Sequence, residues 1–186
     1  MKREQRERLD AEFSVFVVGI GPRLIRLAEL LTGDPHRAGD IVQSALERAY
    51  LHWPRITANA DDPAAYVRRI VVNQHRDWWR RTRNRELPTA HAPDRPVPAD
   101  FAEQQAQRAL LRQALAALTR RERAVVVLRY YGDLSEAETA AELGIAPGTV
   151  KSTLHRALSK LRARPELADR TGGPAGHDPS DIEVAV

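Results

Sequence analysis

From residue 10 to 85, apolar side chains recur at intervals of three and four, the period of helices that bury one face. The period breaks at Gly19-Ile20-Gly21-Pro22, at Thr32-Gly33-Asp34-Pro35 and at Asn59-Ala60-Asp61-Asp62-Pro63. Asp34 and Asp62 each precede a proline. A capping carboxylate followed by a residue whose missing N–H costs nothing in the first turn predicts a helix start at both places. The clearest stripe is Ala38, Ile41, Val42, Ala45, Leu46, Ala49, Tyr50 and Trp53, which predicts a helix from about Pro35 to Trp53 with Asp40, Ser44, Glu47 and Arg48 on its outer side.

Between Leu87 and Pro98 stand Pro88, Pro93, Pro96 and Pro98 with few apolar residues, a stretch that can neither continue a helix nor bury a core. A linker over 87–105 is expected, separating a first module, 1–86, from a second, 106–164. Phe101 to Leu118 reads as helix. Thr119 to Glu122 reads as a capping box opening the next one, which Gly132 ends. A second box, Ser135 to Glu138, starts a short helix through Leu143. Gly144 supplies the turn, and Pro147-Gly148-Thr149 opens a last helix to about Arg164. Nothing reads as a strand, since the Val125-Val126-Val127 run sits inside a capped helical pattern. The tail 165–186, with Gly172-Gly173-Pro174, Asp178, Asp181 and Glu183, is expected to be acidic and disordered. The expected fold is all-α: two small helical domains joined by a Pro-rich linker, the C-terminal one a helix-turn-helix.

A pI near 9.8 with 29% charged residues points to an acidic partner, nucleic acid first, although a net charge of +4 is modest enough that distribution decides. The absence of cysteine excludes disulfides, thiol catalysis and cysteine-bearing zinc sites. No stretch reaches the roughly 20 apolar residues that span a bilayer. The charged start does not read as a secretory signal, so a soluble cytoplasmic protein without membrane contact is expected. No paired carboxylates or glycine-rich phosphate loop stand in a convincing setting. No enzyme, cofactor or metal is therefore expected.

The spacing from Leu134 to Leu161 suits a helix-turn-helix whose second helix enters the DNA major groove. Leu134, Ala137, Ala141, Leu143 and Ile145 are expected to pack on Val150, Leu154, Leu158 and Leu161. That leaves Gly148, Thr149, Lys151, Ser152, His155, Arg156 and Lys160 outward as donors for phosphates and base edges. Thr149 and the first backbone amides could also hold a phosphate. Ala146 stands where a capping Ser or Thr would be expected. In the first module, Pro63 to Arg81 is rich in arginine and tryptophan. With Tyr66, Val67, Ile70, Val71 and Trp78 packed, Arg68, Arg69, Asn73, Arg76, Trp79, Arg80 and Arg81 remain for nucleic acid, a mixture suited to separated strands. Read from composition alone, the face of Asp40, Gln43, Ser44 and Glu47 is simply solvated. Likewise, an ordinary helical hairpin and a solvated basic helix remain the plain readings of the other two.

Leu31-Thr32-Gly33-Asp34-Pro35 followed by Asp40 to Tyr50 resembles region 2 of extracytoplasmic-function sigma factors of the sigma-70 family, of the actinobacterial sigma-E type. Ala65 to Asn73 resembles that family's promoter-melting helix. Leu118-Thr119 through Arg123, with Leu134 to Leu158 and especially Gly148 to Ser152, resembles region 4. The resemblance implies a factor that brings core RNA polymerase to promoters. Asp40, Gln43, Ser44 and Glu47 would bind the beta-prime clamp helices. The loop Arg55 to Asp62, with Arg55, Asn59 and Asp61, would capture a flipped base of the minus-10 element, supported by Arg68, Arg69, Asn73, Arg76, Trp79 and Arg80. Thr149, Lys151, Ser152, His155 and Arg156 would read the minus-35 element. The linker would thread toward the RNA exit channel, the beta flap would be a further polymerase contact, and an anti-sigma factor is admitted as a partner. A conventional duplex-binding regulator, a nucleic-acid enzyme and a pure interaction module are the competing classes.

Overall fold

The computed structural model describes residues 3–82 and 102–164, and the side chains of Trp79, Arg81, Thr82 and residues 102–105 are outside that description. The stretch 83–101, holding most of the expected linker, and the tail from 165 also lie outside the described residues. Those described form helices joined by short turns. The first module comprises α1 (Arg3–Thr32), α2 (Pro35–Leu51), α3 (Trp53–Asn59) and α4 (Pro63–Thr82). The second comprises α5 (Ala102–Ala116), α6 (Arg120–Tyr130), α7 (Glu136–Leu143) and α8 (Pro147–Arg162). Helix α5 begins before residue 105, inside the stretch expected to be linker.

Both proline-linked starts form as the sequence predicts. Asp34 Oδ1 accepts from the amides of His36 (2.9 Å) and Arg37 (3.3 Å), and Asp62 Oδ1 from that of Ala64 (2.8 Å). Ala38, Ala45 and Ala49 are fully enclosed, and their small side chains let α2 lie close against α1. At the far end Phe13 and Phe16 of α1 meet Trp53, with ring centroids 5.0 and 4.5 Å away. The indole Nε1 donates to Glu12 Oε1 at 3.2 Å.

Three expectations need correction. Helix α1 runs straight through Gly19 to Pro22, where a break was expected. Pro22 forfeits only the bond to the Val18 carbonyl, on a side where Val18 is 78% exposed and water can take that bond's place. Trp53 opens α3 instead of ending α2, because Pro54 has no N–H to continue the α2 ladder and suits a first turn. The segment from Arg55 to Asn59 is therefore helix, anchored by buried Ile56, and only Ala60 to Asp62 remain as loop.

Both capping boxes are present. Thr119 and Ser135 each accept from the amide of the glutamate three residues on, and each glutamate accepts from the cap amide in return. The box at Thr119 holds Val125, Val126, Val127 and Leu128 in helix although valine favours strands; all four are buried, so packing overrides propensity. Gly132 ends the helix by close approach: a Cβ there would stand 2.7 Å from the Leu128 carbonyl oxygen. Gly144 turns α7 into α8 with a φ of 62°, a conformation open to glycine. The helix-turn-helix register differs in part from expectation. Thr139, Ala140 and Glu142 are buried and Ala137 and Ala141 exposed, while α8 packs through Val150, Thr153 and Ala157 together with half-buried Leu154, Leu158 and Leu161.

The modules also pack on one another, α1 against α6 and α4 against α7, so that one buried cluster runs from Leu24 and Leu27 to Leu128, Leu134 and Ala157. The Tyr131 hydroxyl donates to the Arg23 carbonyl (3.3 Å) across this seam.

Candidate nucleic-acid interface

On α8 the residues Lys151, Ser152, His155 and Arg156 share one exposed face, one turn apart. Thr149 is half-buried, and its amide is already given to the Ala146 carbonyl at 2.9 Å, so its own amide is not left for a phosphate. Ser152 Oγ donates to the Thr149 carbonyl (3.2 Å), which leaves its oxygen as an acceptor toward a base. Arg156 Nη2 donates to Thr153 Oγ1 (3.4 Å), which steadies the guanidinium at the edge of the face. Lys160, expected outward, is held by both carboxylate oxygens of Glu122 at 2.8 Å and ties α8 to the start of α6. Burial pushes the Glu122 carboxyl up, but the Lys160 and Thr119 bonds outweigh it and the group sits below its ordinary value. Ala146 makes no side-chain cap, as its identity requires.

On α4 the packed side is Val67, Val71, Val72 and His75, with Ile70 and Trp78 half-buried. Tyr66, expected in that stripe, is 44% exposed. Its position explains why: Tyr66, Arg69, Asn73, Arg76 and Arg80 follow each other at three and four residues and form a single outer stripe. The same period, run backwards from Arg69 in the sequence, would have placed Tyr66 outside. Arg80 pairs with Asp77 (3.4 Å), and Arg68 is half-buried toward α7. Trp78 lies beneath the Arg37 guanidinium, 3.9 Å from the ring centroid, in a cation–π contact. Arg55 and Asn59 lie one turn apart on the exposed side of α3, with Asn59 Nδ2 donating to the Arg55 carbonyl (2.8 Å); Asp61 is exposed in the loop that follows. Trp79 belongs to α4, but its side chain is outside the described residues.

On α2, Asp40, Gln43, Ser44 and Glu47 form one exposed stripe, and Gln43 Nε2 donates to Glu47 Oε1 at 3.0 Å. Beside it opens an apolar groove of about 530 Å³ between α1 and α2, lined by Phe13, Val17, Ile25, Val42, Leu46 and Tyr50. Sequence patterning missed it because each of those residues also reads as ordinary core. The three candidate surfaces thus lie on α8, on α3 and α4, and on α2. Among the described residues no group of His, Asp and Glu could hold a metal ion.

Residues 17–85 match the sigma-70 region 2 family model and residues 108–161 the model for sigma-70 region 4. The RNA polymerase sigma-E factor of Streptomyces avermitilis is 45% identical over 158 residues, which cover 85% of this chain and 87% of that protein. The ECF RNA polymerase sigma factor SigL of Mycobacterium tuberculosis is 36% identical over 144 residues, covering 75% and 80%. Among solved structures, the sigma factor RpoE of Bartonella quintana, in complex with the anti-sigma factor NepR, superposes with a TM-score of 0.63 at 23% identity, covering 85% of this chain and 97% of that one. CnrH, in complex with the cytosolic domain of CnrY, gives 0.57 at 23%, covering 87% and 90%. These two likenesses establish the fold. The ordered pair of regions and the extended identity to curated relatives establish the rest: the chain belongs to the sigma-70 family, in its extracytoplasmic-function (ECF) branch.

Proposed function

We infer that this sigma factor, which directs promoter-specific transcription initiation by RNA polymerase, divides the work among its three surfaces. The α8 face of Thr149, Lys151, Ser152, His155 and Arg156 reads the minus-35 element in the major groove, with Lys151 on phosphate and Arg156 toward base acceptors. The outer stripe of α4, Arg69, Asn73, Arg76 and Arg80, with Arg68, Trp79 and the α3 residues Arg55, Asn59 and Asp61 of the following loop, takes the opened minus-10 strand. Asp40, Gln43, Ser44 and Glu47 bind core polymerase at the clamp helices, and the second module meets the beta flap. The domain limits that go with these roles are 1–86, a linker from 87 up to α5, and a second module from α5 to 164.

One observation carries this reading: Tyr66 is exposed in line with four polar and basic residues on α4. A flat ring among guanidiniums stacks unpaired bases and neutralises their phosphates, a use that a protein confined to duplex DNA does not have. Strand opening then follows from capturing bases that have left the stack, with no bond made or broken. Polymerase holds the two DNA contacts together, so each can be weak and their combination strong. The Bartonella relative is bound to an anti-sigma factor, which supports such a protein as a further partner here. The chain works where RNA polymerase is, in the cell interior, and no described helix is long and apolar enough to cross a membrane.

The test is run-off transcription with purified core polymerase on a pooled promoter library. Discrete new start sites that appear with this protein, and weaken when Arg69 and Arg76 are replaced by Ala, support the reading. New start sites unaffected by those replacements would remove α4 from it, and selection of duplex sites without polymerase would replace it by conventional regulation.

A further inference from the structure

The groove between α1 and α2 stays open in the folded chain: Phe13, Val17, Ile25 and Leu46 line it and are only half-buried. Gly21 and Gly39 stand on its two sides, and a Cβ on either would meet nothing within 4 Å, so the packing of α1 on α2 does not require them. Glycine weakens a helix, and here the two leave bare backbone along an apolar channel. Exposed Val18 extends the apolar surface of α1 beyond it.

A segment of this same chain matches the groove in chemistry and in reach. The region 4 match ends at residue 161, and residues 165–186 lie outside the described residues. In that stretch the large apolar side chains gather at Ile182, Val184 and Val186, after a spacer that contains Gly172-Gly173-Pro174. Their alternation puts all three on one side of an extended strand and Glu183 on the other. From Phe13 to Ile25 the groove follows α1 for about 18 Å. Ile182 to Val186, extended, covers about 13 Å. The stretch also starts close by. Lys160, one turn before Arg164, is bonded to Glu122 in the first turn of α6 at 2.8 Å. In that turn Arg120 feels the charge of Arg37 in the first turn of α2, and Gly39 of the groove follows. Residues 165 to 181 can span up to about 55 Å, well beyond the few side-chain lengths of that path.

We propose that Ile182 to Val186 dock in extended form in the α1–α2 groove of their own chain, with Ile182, Val184 and Val186 inward and Glu183 toward solvent. Tethering holds the segment at an effective concentration of about 1 mM, so an intrinsic dissociation constant of about 0.1 mM keeps it docked in about nine chains of ten. Gln43 and Glu47 belong both to the wall of the groove and to the stripe assigned above to polymerase. The docked segment therefore competes with core polymerase and lowers its apparent affinity about tenfold. That consequence rests on the assignment of the α2 stripe; the docking itself does not.

The chain has no cysteine, so a single spin label can be placed at Ala185→Cys, on the side of the segment turned away from the groove. In methyl NMR of the full chain the label should broaden the signals of Val17, Val42 and Leu46 and leave those of Val125 and Val150, in the core of the second module, sharp. Ile182→Asp with Val184→Asp, which touches neither module, should restore the broadened signals. Gly39→Leu should do the same by filling the groove from a position where a Cβ meets nothing. Groove methyls that stay sharp in the parent, or broadening that survives both changes, would overturn the docking. A mixture of labelled chain with isotope-enriched unlabelled chain should show no broadening; if it does, the occupant is the segment of a second copy and docking within one chain is overturned. Binding to core polymerase is measured in parallel, and Ile182→Asp with Val184→Asp should tighten it about tenfold. If the groove methyls respond as expected and polymerase affinity does not change, the docking holds and the assignment of Asp40, Gln43, Ser44 and Glu47 to polymerase fails.

Discussion

His75 lies buried on α4, and burial first, then the charges of Arg123, Arg37 and Arg120, hold its imidazole down to about 4 from an ordinary 6.5. The unfolded chain therefore binds a proton in a range where the folded chain does not, and stability rises with pH across that range. The contribution is complete above 6.5 and is lost progressively as pH falls toward 4. At about pH 5 the unfolded imidazole is almost wholly charged and the folded one still neutral, a difference of about 2 kcal/mol against neutral pH. Urea unfolding at the two pH values should register this as a midpoint lower by about 1 M in the acid sample. Carboxylates also respond to acid, so the informative quantity is the comparison with His75→Leu, which keeps an apolar group of similar bulk and cannot titrate. That variant should lose about 2 kcal/mol less than the parent between the two conditions. An equal loss in both would refute the argument, because the pH dependence would then lie outside this imidazole.

Leu128 is fully enclosed, and Leu128→Ala should lower unfolding free energy by about 2–5 kcal/mol in the same urea assay. Ala146→Ser supplies the missing cap of α8 and should raise stability by about 1 kcal/mol, seen as a higher melting temperature with unchanged helix content. With polymerase present, Arg156→Ala should weaken promoter binding by about 1–3 kcal/mol and relax preference at one minus-35 position in a binding selection. Lys151→Ala should instead weaken binding to all sequences alike and reduce the salt slope by about one.

The elements that sequence made legible are those fixed by local chemistry. Asp34 and Asp62 cap what they were expected to cap, Thr119 and Ser135 close reciprocal boxes, and Gly144 takes the left-handed turn, because each device acts over three or four residues. The stripe from Ala38 to Ala49 and the exposed face of Asp40, Gln43, Ser44 and Glu47 follow from helical period alone. Other features depended on neighbours distant in the chain. Pro22 reads as a breaker, yet α1 crosses it because the lost bond faces solvent. Lys160 reads as a DNA donor, yet Glu122, 38 residues away, claims it. Glu142 stands outside the set of residues expected to pack in the helix-turn-helix, yet it is buried at a seam between modules that no pattern in the chain announces.

The division of labour on α8 bears on how promoter preference can change without loss of the fold. Val150, Thr153 and Ala157 are enclosed and fix the helix against α6 and α7. Lys151, Ser152, His155 and Arg156 contribute almost nothing to that packing, so on the proposed reading replacing them alters what is read at little cost in stability, typically within about 0.5 kcal/mol for surface positions. Lys160 looks equivalent in the sequence but is exempt, since it is bonded to a buried carboxylate that also caps α6. Helix α4 has less room to vary. Its outer stripe alternates with Val67, Val71, Val72 and His75, and Arg68 lies half-buried toward α7, so a substitution meant to tune the proposed strand binding also acts on the packing between the modules. On the proposed assignment of surfaces, minus-35 preference is therefore the property that sequence change can shift independently, whereas change on α4 acts on strand capture and on the packing between the modules at once.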